Sequence, residues 1–169
     1  GSEMCIRDRR VPPINGGFGF NITYKAFTLD TGFNFTLGKW MINQDRLATE
    51  NANAFGVANH SRKVLDYWKQ PGDNARNPRL QELYFTQKDS RLLENASFLR
   101  LRNISLSYRM PEDIVKQIKF FDGIRFYGTA RNLFVWTKYT GADPEYEQSI
   151  AMGAYLPTRQ FTFGVELKF

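Results

Sequence analysis

Of the side chains that most often carry metal chemistry or nucleophilic catalysis the chain holds very little: its 169 residues include a single cysteine and a single histidine. Cys5 cannot form a disulfide within the chain, and neither it nor His60 has the companions that a Cys- or His-based zinc site needs. A Ser-His-Asp set and a glycine-rich phosphate loop are also missing, so no enzyme activity and no cofactor are expected. Long apolar runs are lacking too. No stretch of 18 apolar residues occurs and the mean hydropathy is -0.47, which excludes a membrane-spanning helix. Lys and Arg outnumber Asp and Glu by 23 to 17, but the basic residues are dispersed, so binding to nucleic acid is not expected.

What the chain does have is aromatic and apolar material. Phe contributes 15 residues and Tyr 8, within a composition that is 42% hydrophobic and 24% charged, too apolar for a disordered polymer. Residues 1–10 (GSEMCIRDRR) show no periodicity and no secretory leader pattern, and SEMCIRDR is similar to translated sequencing adapter. They are expected to be non-native, leaving residues 11–169 as the segment that folds.

From Gly17 the chain alternates with period two. Phe18, Phe20, Ile22 and Tyr24 share one face against Gly19, Asn21 and Thr23. Phe27, Leu29, Thr31, Phe33, Phe35 and Leu37 repeat the pattern after a short link at Lys25 and Ala26, which predicts a hairpin. Its arms are longer than a typical soluble strand and match the roughly 9–11 residues that a tilted strand uses to cross a bilayer. Alternation returns in residues 97–110, with Ile104, Leu106 and Tyr108 on one face. It continues in 124–139, where the run from Leu133 to Trp136 is apolar throughout and leaves the facing open. Residues 157–169 carry the sharpest pattern, Phe161, Phe163, Val165, Leu167 and Phe169 alternating with Thr162, Gly164, Glu166 and Lys168.

Between these segments, residues 44–96 and 140–156 are rich in Asn, Asp, Gly and Pro and read as long loops, the first with a short helix over Arg62–Lys69. Pro111 and the acidic pair Glu112 and Asp113 predict a brief helix to Lys119 in the connection 111–123. Short and long connections therefore alternate, the asymmetry of an outer-membrane barrel with short periplasmic turns and longer external loops. The predicted fold class is all-β, an antiparallel transmembrane β-barrel present in part, because five strands cannot close and the smallest bacterial barrels use 8. The apolar face would meet outer-membrane lipid, and a face with Asp30, Arg109, Glu166 and Lys168 would line a polar lumen. Tyr24, Tyr108, Trp136 and Tyr139 fall near segment ends, where aromatic girdles sit. The alternating residues ending in Phe169 are the form of signal that outer-membrane proteins present to the barrel-assembly machinery.

Three stretches then become specific: LLENASFLRLRNISLSYRMP (92–111), IRFYGTARNLFVWTKYTGADPE (124–145) and YLPTRQFTFGVELKF (155–169). They resemble the carboxy-terminal end of the SusC/RagA family of TonB-dependent outer-membrane transporters. The resemblance implies the last strands of a 22-stranded barrel with an amino-terminal plug, energised through the TonB complex. It also implies import of glycan or peptide oligomers together with a SusD-like surface lipoprotein. It implies no catalytic residues. A soluble antiparallel β-sandwich acting as a carbohydrate-binding module is the alternative, and it predicts shorter strands and no terminal Phe.

Smaller features have plain readings. Asp143, Glu145 and Glu147 lack the spacing of a calcium loop and read as a solvated acidic stretch. Tyr67, Trp68, Tyr84 and Phe85 could stack on sugar rings or pack within the loop. The sequon-like Asn21, Asn34, Asn95 and Asn103 read as lumen or loop residues.

Overall fold

The structure is a computed structural model that describes residues 11–50, 59–75, 77, 79, 90–118, 120–146, 150–151, 153 and 155–169. Tyr84, Phe85, Lys119 and Glu147 lie outside the described residues, as do residues 1–10 with Cys5. None of the helices among the described residues is long and apolar enough to cross a membrane.

Two compact units emerge. The strand unit comprises Pro12–Leu37, Ser97–Thr137 and Leu156–Phe169. Its five-stranded sheet is built from β1 (Ile14–Tyr24), β2 (Phe27–Leu37), β5 (Phe98–Arg109), β6 (Gly123–Thr137) and β8 (Gln160–Lys168), ordered β1-β2-β5-β6-β8. Every neighbouring pair is antiparallel and every strand lies beside its predecessor in the sheet. In this up-and-down meander the short and the long connections leave opposite ends of the sheet. Tyr24 pairs with Phe27, so Lys25 and Ala26 form the predicted two-residue hairpin loop, with Lys25 in the left-handed region at φ 54.

Two differences from the sequence reading have local causes. The last strand begins at Gln160 rather than at Pro157, because Pro157 brings no N–H and Asn132 Nδ2 instead donates to the Thr158 carbonyl at 3.3 Å. The ambiguity at Leu133–Trp136 is settled by the register, which contains a bulge. Leu101 pairs with Phe134 and Asn103 with Arg131, so Asn132 and Leu133 stand against Arg102 alone, and Asn132 takes φ 55 to absorb the extra residue. Phe134 and Trp136 keep the parity of Phe126, Gly128 and Ala130 on the apolar face, with Val135 on the other opposite Arg100, while on β5 the apolar facing passes from Ile104 to Leu101. The predicted connection helix is present as α2 (Glu112–Ile118).

The loop unit is formed by Gly38–Ala96 and Lys138–Tyr155. It is not the plain loop that polar composition suggests. β3 (Trp40–Asn43) lies between β4 (Leu93–Asn95) and β7 (Ile150–Ala151) in a small sheet, antiparallel to the first and parallel to the second. A short helix, α1 (Gln44–Thr49), follows β3, capped by the Asn43 side chain accepting from the Arg46 amide. The helix expected over Arg62–Lys69 shrinks to a 3-10 turn, Arg62–Leu65, capped by Ser61. Met41, Ala96 and Tyr139 form the buried core of this unit.

Candidate functional site

The strand register converts a one-dimensional alternation into a two-faced wall. Reading across hydrogen-bonded partners, one face carries the rows Tyr24–Phe27–Tyr108–Phe126–Val165, Ile22–Leu29–Leu106–Gly128–Phe163 and Phe20–Thr31–Ile104–Ala130–Phe161. Beyond the bulge it continues as Phe18–Phe33–Leu101–Phe134 and Gly16–Phe35–Leu99–Trp136. The opposite face carries Thr23–Thr28–Ser107–Tyr127–Gly164, Asn21–Asp30–Ser105–Thr129–Thr162 and Gly19–Gly32–Asn103–Arg131–Gln160.

The two faces are chemically complete in opposite ways. On the polar face side chains satisfy one another along the rows: Asn21 donates to Asp30 at 3.2 Å, Asn103 donates to Asp30 at 3.4 Å, and the Ser105 and Thr129 hydroxyls meet at 3.1 Å. Arg125 pairs with Glu166 at 2.8 Å. On the apolar face the contacts are rings: Phe18 stacks on Phe33 with centroids 5.0 Å apart, and Phe27 meets Tyr108 at 4.8 Å.

That apolar face is bare. Phe20 is 56% exposed, Phe161 63% and Phe163 82%, where a soluble sheet would bury such residues under a second layer. A sandwich carbohydrate-binding module, which requires that cover, is therefore set aside. The 11 residues of β1 extend roughly 37 Å at about 3.4 Å each, and a tilt near 40° reduces this to roughly 28 Å, the scale of the ~25 Å apolar band of an outer-membrane barrel.

The residues singled out in the sequence fall as follows. Phe161, Phe163, Val165 and Leu167 share the apolar face of β8, while Phe169 lies beyond the strand with its ring 5.2 Å from Phe121 and 6.3 Å from Phe120. Tyr24 and Tyr108 stand in the row at the hairpin end, and Trp136 in the row at the opposite end. Tyr139 is elsewhere: it is buried in the core of the loop unit, so its ring cannot join a girdle. Alternation could not reveal this, because Tyr139 lies past the end of β6 at Thr137.

The loop unit holds a charged cluster that sequence reasoning missed. Arg46 Nη1 donates to Glu94 at 2.8 Å and to the Arg91 carbonyl at 2.9 Å, while its Nη2 and Nε donate to Glu50 at 2.9 and 3.2 Å. Glu94 in turn accepts from the Thr140 amide at 2.8 Å, and the buried Lys39 ammonium donates to the Pro144 and Tyr146 carbonyls at 2.8 and 2.7 Å. These bonds tie the segment after β6 to the segment after β2. Arg46 with Glu50 is a legible i,i+4 pair, but Glu94 is 48 residues away and nothing local announces it. Among the described residues no group of His, Cys, Asp and Glu could hold a metal ion, and Asp143 accepts from the Glu145 amide.

Burial of Glu94 favours its neutral form, but the Thr140 amide and the Arg46 guanidinium outweigh that and hold its carboxyl below the usual range of 4.5. Arg46 is likewise opposed by burial, yet its bonds to Glu50 and Glu94 raise its pKa. Burial, with the nearby carboxylates of Glu94, Asp45 and Asp143, pushes the Tyr139 phenol up to about 12. By linkage, the Glu94 contribution to loop stability is present above its unfolded value of 4.5 and is lost as pH falls through the lowered folded value. The Tyr139 contribution is full below the unfolded value of 10.0 and is lost as pH rises towards about 12. A spectroscopic titration of tyrosinate is therefore expected to show one late phenol that vanishes in Tyr139→Phe. An unchanged titration would contradict the burial of that ring.

No protein-family model matches the chain. It is 27% identical to TonB-dependent receptor P3 of Formosa agariphila across 99% of its own length and 18% of the relative's. It is 38% identical to TonB-dependent receptor SusC of Bacteroides thetaiotaomicron over 46% of the chain and 8% of that protein. Among solved structures, the RagAB peptide importer in a closed-closed state superposes with a TM-score of 0.83 and 38% identity, covering 95% of this chain and 18% of that one. The chain thus spans under a fifth of the length of these relatives. A bare apolar face backed by a polar one, on an open antiparallel meander, is the wall that such receptors set in the outer membrane of Gram-negative bacteria, and the chain belongs to the SusC/RagA family of TonB-dependent receptors as a part of that β-barrel.

Proposed function

We propose that this segment is one arc of the wall of a nutrient importer that carries oligosaccharides or oligopeptides across the outer membrane. The supporting observation is the register itself, which gathers the apolar side chains on one face and the hydrogen-bonded polar rows on the other, a wall that can face lipid and a hydrated lumen at once. In this reading the Lys25–Ala26 turn and α2 are periplasmic, and the loop unit is external. Tyr24, Tyr108 and Trp136 serve as girdle residues. The TonB complex acts through other parts of the protein, and a SusD-like lipoprotein works at the outer surface. The experiment is deletion of the full-length gene, followed by growth on defined oligosaccharide or oligopeptide mixtures. Loss of growth on one class with normal growth on its monomers is expected, and unimpaired growth on every oligomer would overturn the reading.

The apolar residues of β8 with Phe169 are proposed as the signal read by the barrel-assembly machinery. Phe169→Asp in the full-length protein is expected to lower its outer-membrane level several-fold with message unchanged. Wild-type levels would remove the assembly role.

A further inference from the structure

The rows of the apolar face are unevenly filled. At its second and third rows β6 contributes only Gly128 and Ala130, between Leu106 and Phe163 in one row and Ile104 and Phe161 in the next. The missing side-chain volume leaves a groove of about 670 Å3, floored by Gly128 and Ala130 and bounded towards the hairpin end by Tyr108 and Phe126. Its size is that of a small-molecule site, roughly 300–1,000 Å3, but its lining contains no charged side chain. The ring of Phe163 leans over Gly128, where an added Cβ would meet it at 3.2 Å, so a larger residue there would push that ring aside.

Water has too few polar partners to remain in such a groove, and an empty one would forfeit dispersion contacts along its whole length. The groove is continuous with the lipid-facing wall, so its natural occupant is a hydrocarbon chain. It lies towards the Tyr24–Phe27 end of the sheet, next to the turn that carries Lys25, whose ammonium sits 5.4 Å from the centre of the Tyr24 ring. A cation at the end of a row that holds Tyr24 and Tyr108 suits a phosphate head group. We infer that the groove is a resident site for one acyl chain of an anionic glycerophospholipid of the periplasmic leaflet, its phosphate at the level of Tyr108 and Lys25. The inference rests on the membrane-wall reading and on its orientation.

The test uses the full-length protein extracted from outer membranes in mild detergent, with bound lipid measured by native mass spectrometry and by extraction. The wild type is expected to retain phospholipid. Ala130→Phe, which fills the floor, is expected to reduce retention about tenfold or more, since it displaces several buried methylene contacts. If that variant does not assemble, Ile104→Trp fills the groove from its wall. Asn21→Gln, on the polar face, is expected to leave retention unchanged. A wild type that sits folded in the outer membrane without retained phospholipid would overturn the site, as would equal retention in the filled variants. Lipopolysaccharide or a second protein chain in the groove would overturn the choice of occupant. A protein absent from the outer membrane would instead overturn the membrane-wall reading itself.

Discussion

Replacing Phe20 by arginine in the full-length protein is expected to cost about 3 kcal/mol, the scale for a cation on the lipid face near the bilayer midplane. Phe20 is in the third of the apolar rows and more than half exposed, with its ring against Phe18 at 5.8 Å and Phe33 at 6.4 Å between centroids. Among the described residues no carboxylate stands in the rows of that face to receive the guanidinium. The neighbouring Asn21→Arg places the same charge one residue along, on the polar face beside Asp30, and is expected to change stability by less than about 1 kcal/mol. Urea unfolding of the reconstituted barrel measures both. A similar cost for the two substitutions would mean that the faces do not differ as the register requires.

Removing Arg46 is the other large effect, and it is local. Its guanidinium is shared by Glu50 and Glu94, whose side chains are 6% and 12% exposed, so Arg46→Met takes away the cation that both buried carboxylates use. Breaking a buried pair from one side costs about 3–5 kcal/mol because the remaining charge keeps its desolvation penalty. The loss is expected in the loop unit, as faster amide exchange in Trp40–Thr49 and Leu93–Asn95, with the strands β1, β2, β5, β6 and β8 unaffected. Combining Arg46→Met with Glu94→Gln is expected to restore part of the protection. Unchanged exchange in Arg46→Met would show that the cluster does not hold the loops.

The strand unit was readable from residue order because its information is local. A face exposed to lipid and one exposed to water impose a strict period of two, and Phe18 to Tyr24 or Phe161 to Leu167 display it without help from the rest of the chain. The rule fails at Arg102, where a bulge shifts the parity of β5, so that Leu101 and Leu99 join Ile104, Leu106 and Tyr108 on the apolar face. It fails again at Tyr139, whose spacing from Trp136 suggests a girdle although the strand has already ended. In the loop unit the determining contacts are long-range. Lys39 reaches the Pro144 carbonyl across 105 residues and β3 pairs with β7 across a similar separation, so neither propensity nor periodicity could anticipate that sheet. One local signal was available: Asn43 followed by Asp45 is a helix start, and it marks α1. For the candidate wall, the composition of each face could be read, but not the groove, which arises only when Gly128 and Ala130 are set between Ile104, Leu106 and the β8 phenylalanines.

The central claim, that one face of this sheet meets lipid and the other water, is tested most directly by labelling β8. Single cysteines placed in turn at positions 161–168 of the full-length protein, with any other cysteine replaced by serine, would carry a nitroxide probed by oxygen, which partitions into lipid, and by a water-soluble nickel complex. Positions 161, 163, 165 and 167 are expected to respond to oxygen and positions 162, 164, 166 and 168 to nickel, alternating residue by residue along the strand. A response that is uniform, or that favours nickel at Phe161 and Phe163, would contradict the account.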